Sequence, residues 1–228
     1  MERLPKVLVF DWDNTLVDSW VIIHRALERT FVAMGKRPWT LDEAKRRVRA
    51  SARDSFPKLF GERAEEATRI FYASYEENHL EVLQPLPAAE KLLSTIVRNG
   101  KISLSVLSNK QGDLLRREVA HLGWLDYFGA VVGAQDAERD KPAAEALLAS
   151  LAGSGAEPGA GVWIVGDTDI DMNCAAENGC EAVLLRPLDT HDEEFGSFKP
   201  RMWMPDCESF LAHLRSLGLV ADEGAPDA

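Results

Sequence analysis

The stretch VLVFDWDNTLVDS, residues 7–19, decides how the chain reads. Val7 to Phe10 form an unbroken apolar run that stops at Asp11, Trp12, Asp13, Asn14 and Thr15. A short apolar run ending in polar residues predicts a strand covered on both faces, as in the middle of a parallel sheet. The polar residues then lie just past the carboxyl end of that strand, where open α/β sheets place their ligands. Asp11 and Asp13 repel each other there and are partly desolvated. A hard, oxygen-seeking cation such as Mg²⁺ relieves that repulsion. Asp and Asn also serve ordinary turns after strands. The stretch alone leaves both readings open, and the rest of the chain has to choose between them.

Composition narrows the choice. The chain has 228 residues, a formal net charge of −11 and 46% hydrophobic residues. That length supports one large domain, or one domain carrying a smaller insertion. The negative balance argues against a general nucleic-acid binder, which needs a basic face to replace counterions. Cys174, Cys180 and Cys207 are odd in number and unevenly spaced, which fits free thiols rather than a disulfide framework or a zinc site. The opening MERLPKVLVF is too short in apolar residues for a signal peptide, and no later run is long enough to span a bilayer. The expectation is a cytoplasmic protein with no membrane partner.

After the first strand the periodicity turns helical. Val21, Ile22, Leu27, Phe31 and Val32 recur at helical spacing from Trp20 onward, behind Asp18 and Ser19 as candidate caps. Thr40-Leu41-Asp42-Glu43 has the form of a capping box before a helix over 44–50. A further helix is predicted over 62–80. Residues 20–82 thus contain helices and no convincing strand, and Leu83 to Pro87 reads as a hinge. From residue 88 strands alternate with helices. Strands are predicted over 102–107, 130–132, 162–165 and 182–185, and helices over 88–99, 112–122, 142–151, 172–178 and 208–217. This alternation predicts an α/β fold with a doubly wound, Rossmann-like parallel sheet. The predicted division is a core of residues 1–19 and 83–228, with a small α-helical cap, 20–82, inserted after the first strand. ADEGAPDA, 221–228, reads as a frayed acidic tail.

Three more strands deliver polar residues to the same sheet edge. Ser108 and Asn109 follow one strand and can cradle a phosphate at a helix start, although the pair is also an ordinary cap. Lys141 precedes a proline and can place its ammonium over a phosphoryl group, although a lone lysine is more often a solvated surface residue. The third strand ends in GDTDID, 166–171, whose Asp167 and Asp171 can face the same way if the turn is helical. With Asp11 and Asp13 they make four carboxylates at one edge, a cluster that a divalent cation would hold together.

These segments, in this order, resemble the haloacid dehalogenase superfamily of phosphatases across nearly the whole chain. DWDNT is similar to its first motif, Ser108 to the second, Lys141 to the third and GDTDID to the fourth. SVLSNK, LDYFGAVVGA and DKPAAEALL resemble the phosphoglycolate phosphatase-like branch, which carries a helical cap between the first and second motifs. Asn14 departs from the family's usual glycine, and asparagine tolerates unusual backbone angles better than most residues. The resemblance implies that Asp11 is the nucleophile forming an aspartyl-phosphate and Asp13 the general acid, then base. It implies Mg²⁺ held by Asp11, Asp167 and the Asp13 carbonyl, with Asp171 acting through water or orienting Asp167. It also implies that Ser108, Asn109 and Lys141 hold the transferring oxygens.

The expected function is Mg²⁺-dependent hydrolysis of a small phosphorylated metabolite, phosphoglycolate among the candidates, by a monomer or homodimer. A phosphomutase acting on a sugar phosphate shares the same intermediate. A non-catalytic interaction scaffold is disfavoured, because it gains nothing from clustered acids. In the cap, the basic residues Lys45, Arg46, Arg47, Arg49, Arg53 and Lys58 read mostly as a solvated helix face, with Arg49 or Arg53 as the candidates to meet instead a second anionic group on the substrate. The five histidines, His24, His79, His121, His191 and His213, lie scattered and none is given a catalytic role.

Overall fold

The structure is a computed structural model that describes residues 4–187 and 192–221. The sequence expectations for His191 and for 222–228 lie outside the described residues. Strand β1 (Val7–Phe10) is followed by the two-residue β2 (Val17–Asp18). Helices α1 (Trp20–Ala33), α2 (Leu41–Arg47), α3 (Ala52–Phe60), α4 (Ala64–Glu76) and α5 (His79–Val82) come next. The chain then alternates through β3 (Gln84–Pro85), α6 (Ala89–Asn99), β4 (Ser103–Gln111), α7 (Gly112–His121), β5 (Ala130–Ala134) and α8 (Ala144–Ser150). It finishes with β6 (Val162–Gly166), α9 (Asp169–Glu177), β7 (Glu181–Leu185), β8 (Met202–Met204) and α10 (Cys207–Ser216).

Six strands form one parallel sheet in the order β5-β4-β1-β6-β7-β8. The doubly wound α/β fold expected from the alternation is what the chain adopts. Successive strand residues point to opposite faces. Leu8 and Phe10 join Leu92, Leu93 and Ile96 of α6 and Phe210, Leu211 and Leu214 of α10 in one core. Val7 and Val9 join Ala146 and Leu147 of α8 and Met172 and Ala175 of α9 in the other. Because both faces are covered, β1 must be apolar at every position, which is why it reads as an unbroken run.

The helices between β2 and β3 gather around an apolar cluster of their own, including Ile23, Leu27, Phe31, Phe56 and Phe60, to which α7 contributes Leu114. Thr40 and Glu43 form the expected capping box. Helix α3, absent from the sequence expectation, contains Pro57 in its interior and is capped by Ser51, whose Oγ accepts from the Asp54 N–H at 3.4 Å. Proline inside a helical pattern argues against a helix on sequence alone. The segment read as a hinge contains a short strand. β2 and β3 pair antiparallel, Val17 with Pro85 and Asp18 with Gln84, and the Leu86 N–H donates to the Leu16 carbonyl at 2.8 Å. Two-residue strands are too short to show a period of two. Among the described residues no helix is long and apolar enough to cross a membrane.

The packing of α6 against the sheet gives a test. Ile96, fully buried, should cost about 2–5 kcal/mol of stability when changed to Ala. Val32, which is 63% exposed on α1, should cost no more than about 0.5 kcal/mol. Thermal melts of the two variants check this, and equal losses would contradict the docking of α6 by this face.

Candidate active site

The sheet order places β1 between β4 and β6, so the chain reverses direction across the sheet on either side of it. That switch point opens a crevice at the carboxyl ends of the strands. β1 and β6 are in register, Phe10 opposite Val165, and the Asp11 N–H donates to the Val165 carbonyl at 2.8 Å. Asp11 and Asp167, just past these neighbouring strands, therefore emerge side by side.

Asp11, Asp167 and Asp171 each offer an oxygen, and these oxygens lie within 4.8 Å of one another in buried positions. The Lys141 ammonium sits among them. It donates to Asp11 Oδ1 at 2.8 Å, to Asp171 Oδ1 at 2.6 Å and to the Leu107 carbonyl at 3.0 Å. Asp171 Oδ2 accepts from the Thr168 N–H at 3.1 Å and its hydroxyl at 2.9 Å, so Asp171 both caps α9 and braces Lys141. Gly166 is required by this close packing. A Cβ there would stand 2.1 Å from the Asp171 carboxyl carbon.

The electrostatics favour a cation. Burial pushes the Asp11 carboxyl up to about 6, against the lowering charge of Lys141 and with a further push from Asp171. Burial, then the charges of Asp11 and Asp171, raise Asp167 well above the ordinary carboxylate range. Lys141 is raised too. Burial opposes its charge, but Asp11 and Asp171 outweigh burial. With all three acids ionised, one ammonium against three carboxylates leaves a formal deficit of two charges, which one divalent cation fills. All-oxygen donors suit Mg²⁺.

The remaining predicted residues surround this centre. Asn14 takes a left-handed φ of 62°, the conformation that asparagine tolerates, and its Oδ1 accepts from the Ser19 N–H at 3.2 Å. Ser108 is buried, and its Oγ accepts from the Lys110 N–H at 3.2 Å. Asn109 donates through Nδ2 to the Lys141 carbonyl at 3.1 Å, while its buried Oδ1 has no partner among the described residues. Asp13, Ser108, Asn109, Lys141 and Asp167 all line one cavity of about 150 Å³. The opposite wall, supplied by the helical unit, includes Trp20, Trp39, Phe56 and Tyr72.

Arg49 and Arg53 are placed differently from the expectation. Arg49 lines the cavity, but its Nε lies 2.9 Å from Asp169 Oδ1 and its Nη2 3.3 Å from Glu194 Oε1. Arg53 reaches Asp140 Oδ1 at 2.6 Å and does not line the cavity. Both guanidinium groups are thus engaged by carboxylates of the sheet domain rather than held open for a substrate anion. The sequence places these acids far away in the chain, so the pairing could not be anticipated.

Sequence reasoning also missed Lys110, Glu118, Tyr75, His79 and Arg186. Lys110 donates to Asp13 Oδ1 at 2.6 Å and also to Glu118. Burial pushes Glu118 up, yet the Lys110 charge and hydrogen bonds from His79, Lys110 and Trp12 hold it down at about 2. Arg186 donates to the Asp167 carbonyl at 2.8 Å and fixes the end of β6. Lys110 adjoins Asn109 and carried a usable signal; a single Glu in α7 carried none.

Comparison with known proteins agrees with this arrangement. The family profile described as "Haloacid dehalogenase-like hydrolase" matches residues 8–185. A phosphoglycolate phosphatase of Aquifex aeolicus is 30% identical over 180 residues, covering 78% of this chain and 84% of that protein. One from Cereibacter sphaeroides is 30% identical over 223 residues, covering 91% and 98%. The solved structure of a predicted phosphatase from Clostridium acetobutylicum superposes with a TM-score of 0.80 at 18% identity, covering 93% and 99%, and so shows the shared fold. From the profile match over residues 8–185 and the relative 30% identical over 78% of this chain, the chain belongs to the haloacid dehalogenase-like hydrolases, on the branch that holds the phosphoglycolate phosphatases.

Proposed function

We propose that this chain is a Mg²⁺-dependent phosphomonoesterase that works through a phosphoryl group carried transiently on Asp11. The observation that carries this reading is the buried Lys141 ammonium bridging Asp11 and Asp171 beside Asp167. An ammonium held there can meet the charge of a transferring phosphoryl group. Asp11 and Asp167, with the Asp13 carbonyl, would hold the ion, and Asp171 would act through water or by orienting its neighbours. When bound, Mg²⁺ neutralises charge shared between these carboxylates and the phosphoryl oxygens.

In the first step an Asp11 carboxylate oxygen attacks phosphorus, the bond to the ester oxygen breaks, and Asp13 gives its proton to the departing alcohol. In the second, Asp13 takes a proton from a water, which attacks phosphorus; the bond to Asp11 breaks and phosphate leaves. Ser108, Asn109 and Lys141 hold the non-bridging oxygens, and the orphaned Asn109 Oδ1 can accept from a protonated phosphate oxygen or a water. Residues 20–82 act as the cap that excludes water and contacts the alcohol part. The substrate is a small phosphate monoester. Phosphoglycolate, named for the relatives, is the first candidate to assay.

Asp11→Asn should lower turnover of p-nitrophenyl phosphate by about 10³-fold or more while the circular dichroism spectrum is unchanged. Retained activity would remove Asp11 as nucleophile. EDTA should abolish wild-type turnover, and added Mg²⁺ should restore it. Because the metal-free Asp11 carboxyl is held up at about 6, ion binding must displace protons. Mg²⁺ affinity measured by calorimetry should therefore weaken as pH falls from about 7 to about 5, with proton release on binding. A pH-independent affinity would contradict the buried three-acid site.

A further inference from the structure

Away from the phosphoryl centre, Glu118 of α7 is fully buried and accepts from four donors. Trp12 Nε1 reaches it at 2.7 Å, the Tyr75 hydroxyl at 3.0 Å and His79 Nδ1 at 2.9 Å; the Lys110 ammonium is the fourth. An ionised carboxylate only accepts, so His79 donates through Nδ1, and its buried Nε2 is left without a partner among the described residues. Lys110 is itself nearly buried, 5.2 Å from the Tyr75 ring centroid, and its other contact is Asp13 Oδ1.

The donors come from separate parts of the chain. Trp12 follows β1 and Lys110 lies near the end of β4, whereas Tyr75 lies on α4 and His79 opens α5 of the helical unit. One buried carboxylate therefore joins the helical unit to the ammonium that holds Asp13. A buried ion pair is costly unless its remaining hydrogen-bonding positions are filled. Lifting Tyr75 and His79 away would leave Glu118 with fewer donors and free Lys110 to shift off Asp13.

We propose that Glu118 is a positioning residue that, through Lys110, aims the Asp13 carboxyl only while the helical unit is seated on the sheet domain. The proposal rests on the phosphomonoesterase reading, in which Asp13 protonates the leaving alcohol. A side chain that only stitches the fold together would affect all esters alike. One that aims an acid affects esters whose leaving group needs a proton. Benzyl phosphate releases an alkoxide that must be protonated, whereas p-nitrophenyl phosphate releases a stable anion. The ratio kcat/KM reports steps through the first phosphoryl transfer, so it isolates this role.

The experiment measures kcat/KM for both esters in wild type, Glu118→Gln, Lys110→Met and Tyr75→Phe. General acid catalysis contributes about 10²–10⁴-fold. Glu118→Gln and Lys110→Met should accordingly lose about tenfold more on benzyl phosphate than on p-nitrophenyl phosphate. Tyr75→Phe, which removes one hydroxyl and keeps the ring, should lose in the same direction by a smaller factor. It should also speed amide exchange across residues 64–82, and it carries the test if Glu118→Gln fails to fold. Equal losses on the two esters would overturn the positioning role and leave the phosphatase reading standing. A wild-type protein inactive on both esters would overturn that reading, and this proposal with it.

Discussion

The arrangement depends on one buried ammonium. Lys141 lies between Asp11 and Asp171, and without it three acids would face each other away from bulk water. Placing like charges in a low-dielectric crevice costs several kcal/mol per ion unless partners are close and well oriented. The sheet supplies that closeness. Neighbouring parallel strands run about 4.8 Å apart, so residues ending β1 and β6 arrive within reach of a single cation. Gly166 then lets Asp171 fold back beneath the strand end, which a Cβ would prevent.

Around this centre ion pairs and a buried hydrogen-bonded cluster join the helical unit to the sheet, beside the apolar contact made by Leu114. Arg53 pairs with the buried Asp140, whereas Arg49 with Asp169 and Glu194 and Arg117 with Glu76 are partly exposed ion pairs. Such pairs contribute about 0–1 kcal/mol each and weaken with salt. The Glu118 carboxylate is buried and accepts from four donors, so breaking the cluster strands polar groups. Tyr75 and His79 of the helical unit thus share a buried carboxylate with Trp12 and Lys110 of the sheet.

The legibility of the chain varied with the range of the interaction. Val7 to Phe10 could be read as a central strand because burial on both faces leaves a continuous apolar run. The Thr40 box was legible because its partners are three residues apart. Helix α3 was hidden by Pro57, and β2, β3 and β8 by their two or three residues, too few to show alternation. Arg49 and Arg53 illustrate the other failure. Their residue type was informative, but carboxylates far along the chain decided what they touch.

Lys141, well past the end of β5, was singled out only by the family resemblance, whereas the sequence by itself determined the α/β class, the insertion of helices after the first strand, and the acids that follow β1 and β6. These are local properties: apolar period, capping chemistry and the residue that follows each strand. Only the tertiary structure decided that Lys141 bridges Asp11 and Asp171, that Lys110 holds Asp13, and that Glu118 joins Lys110 to the helical unit. Strand order brings residues more than a hundred positions apart into contact, and a lone glutamate in an amphipathic helix looks solvent-facing until the fold buries it.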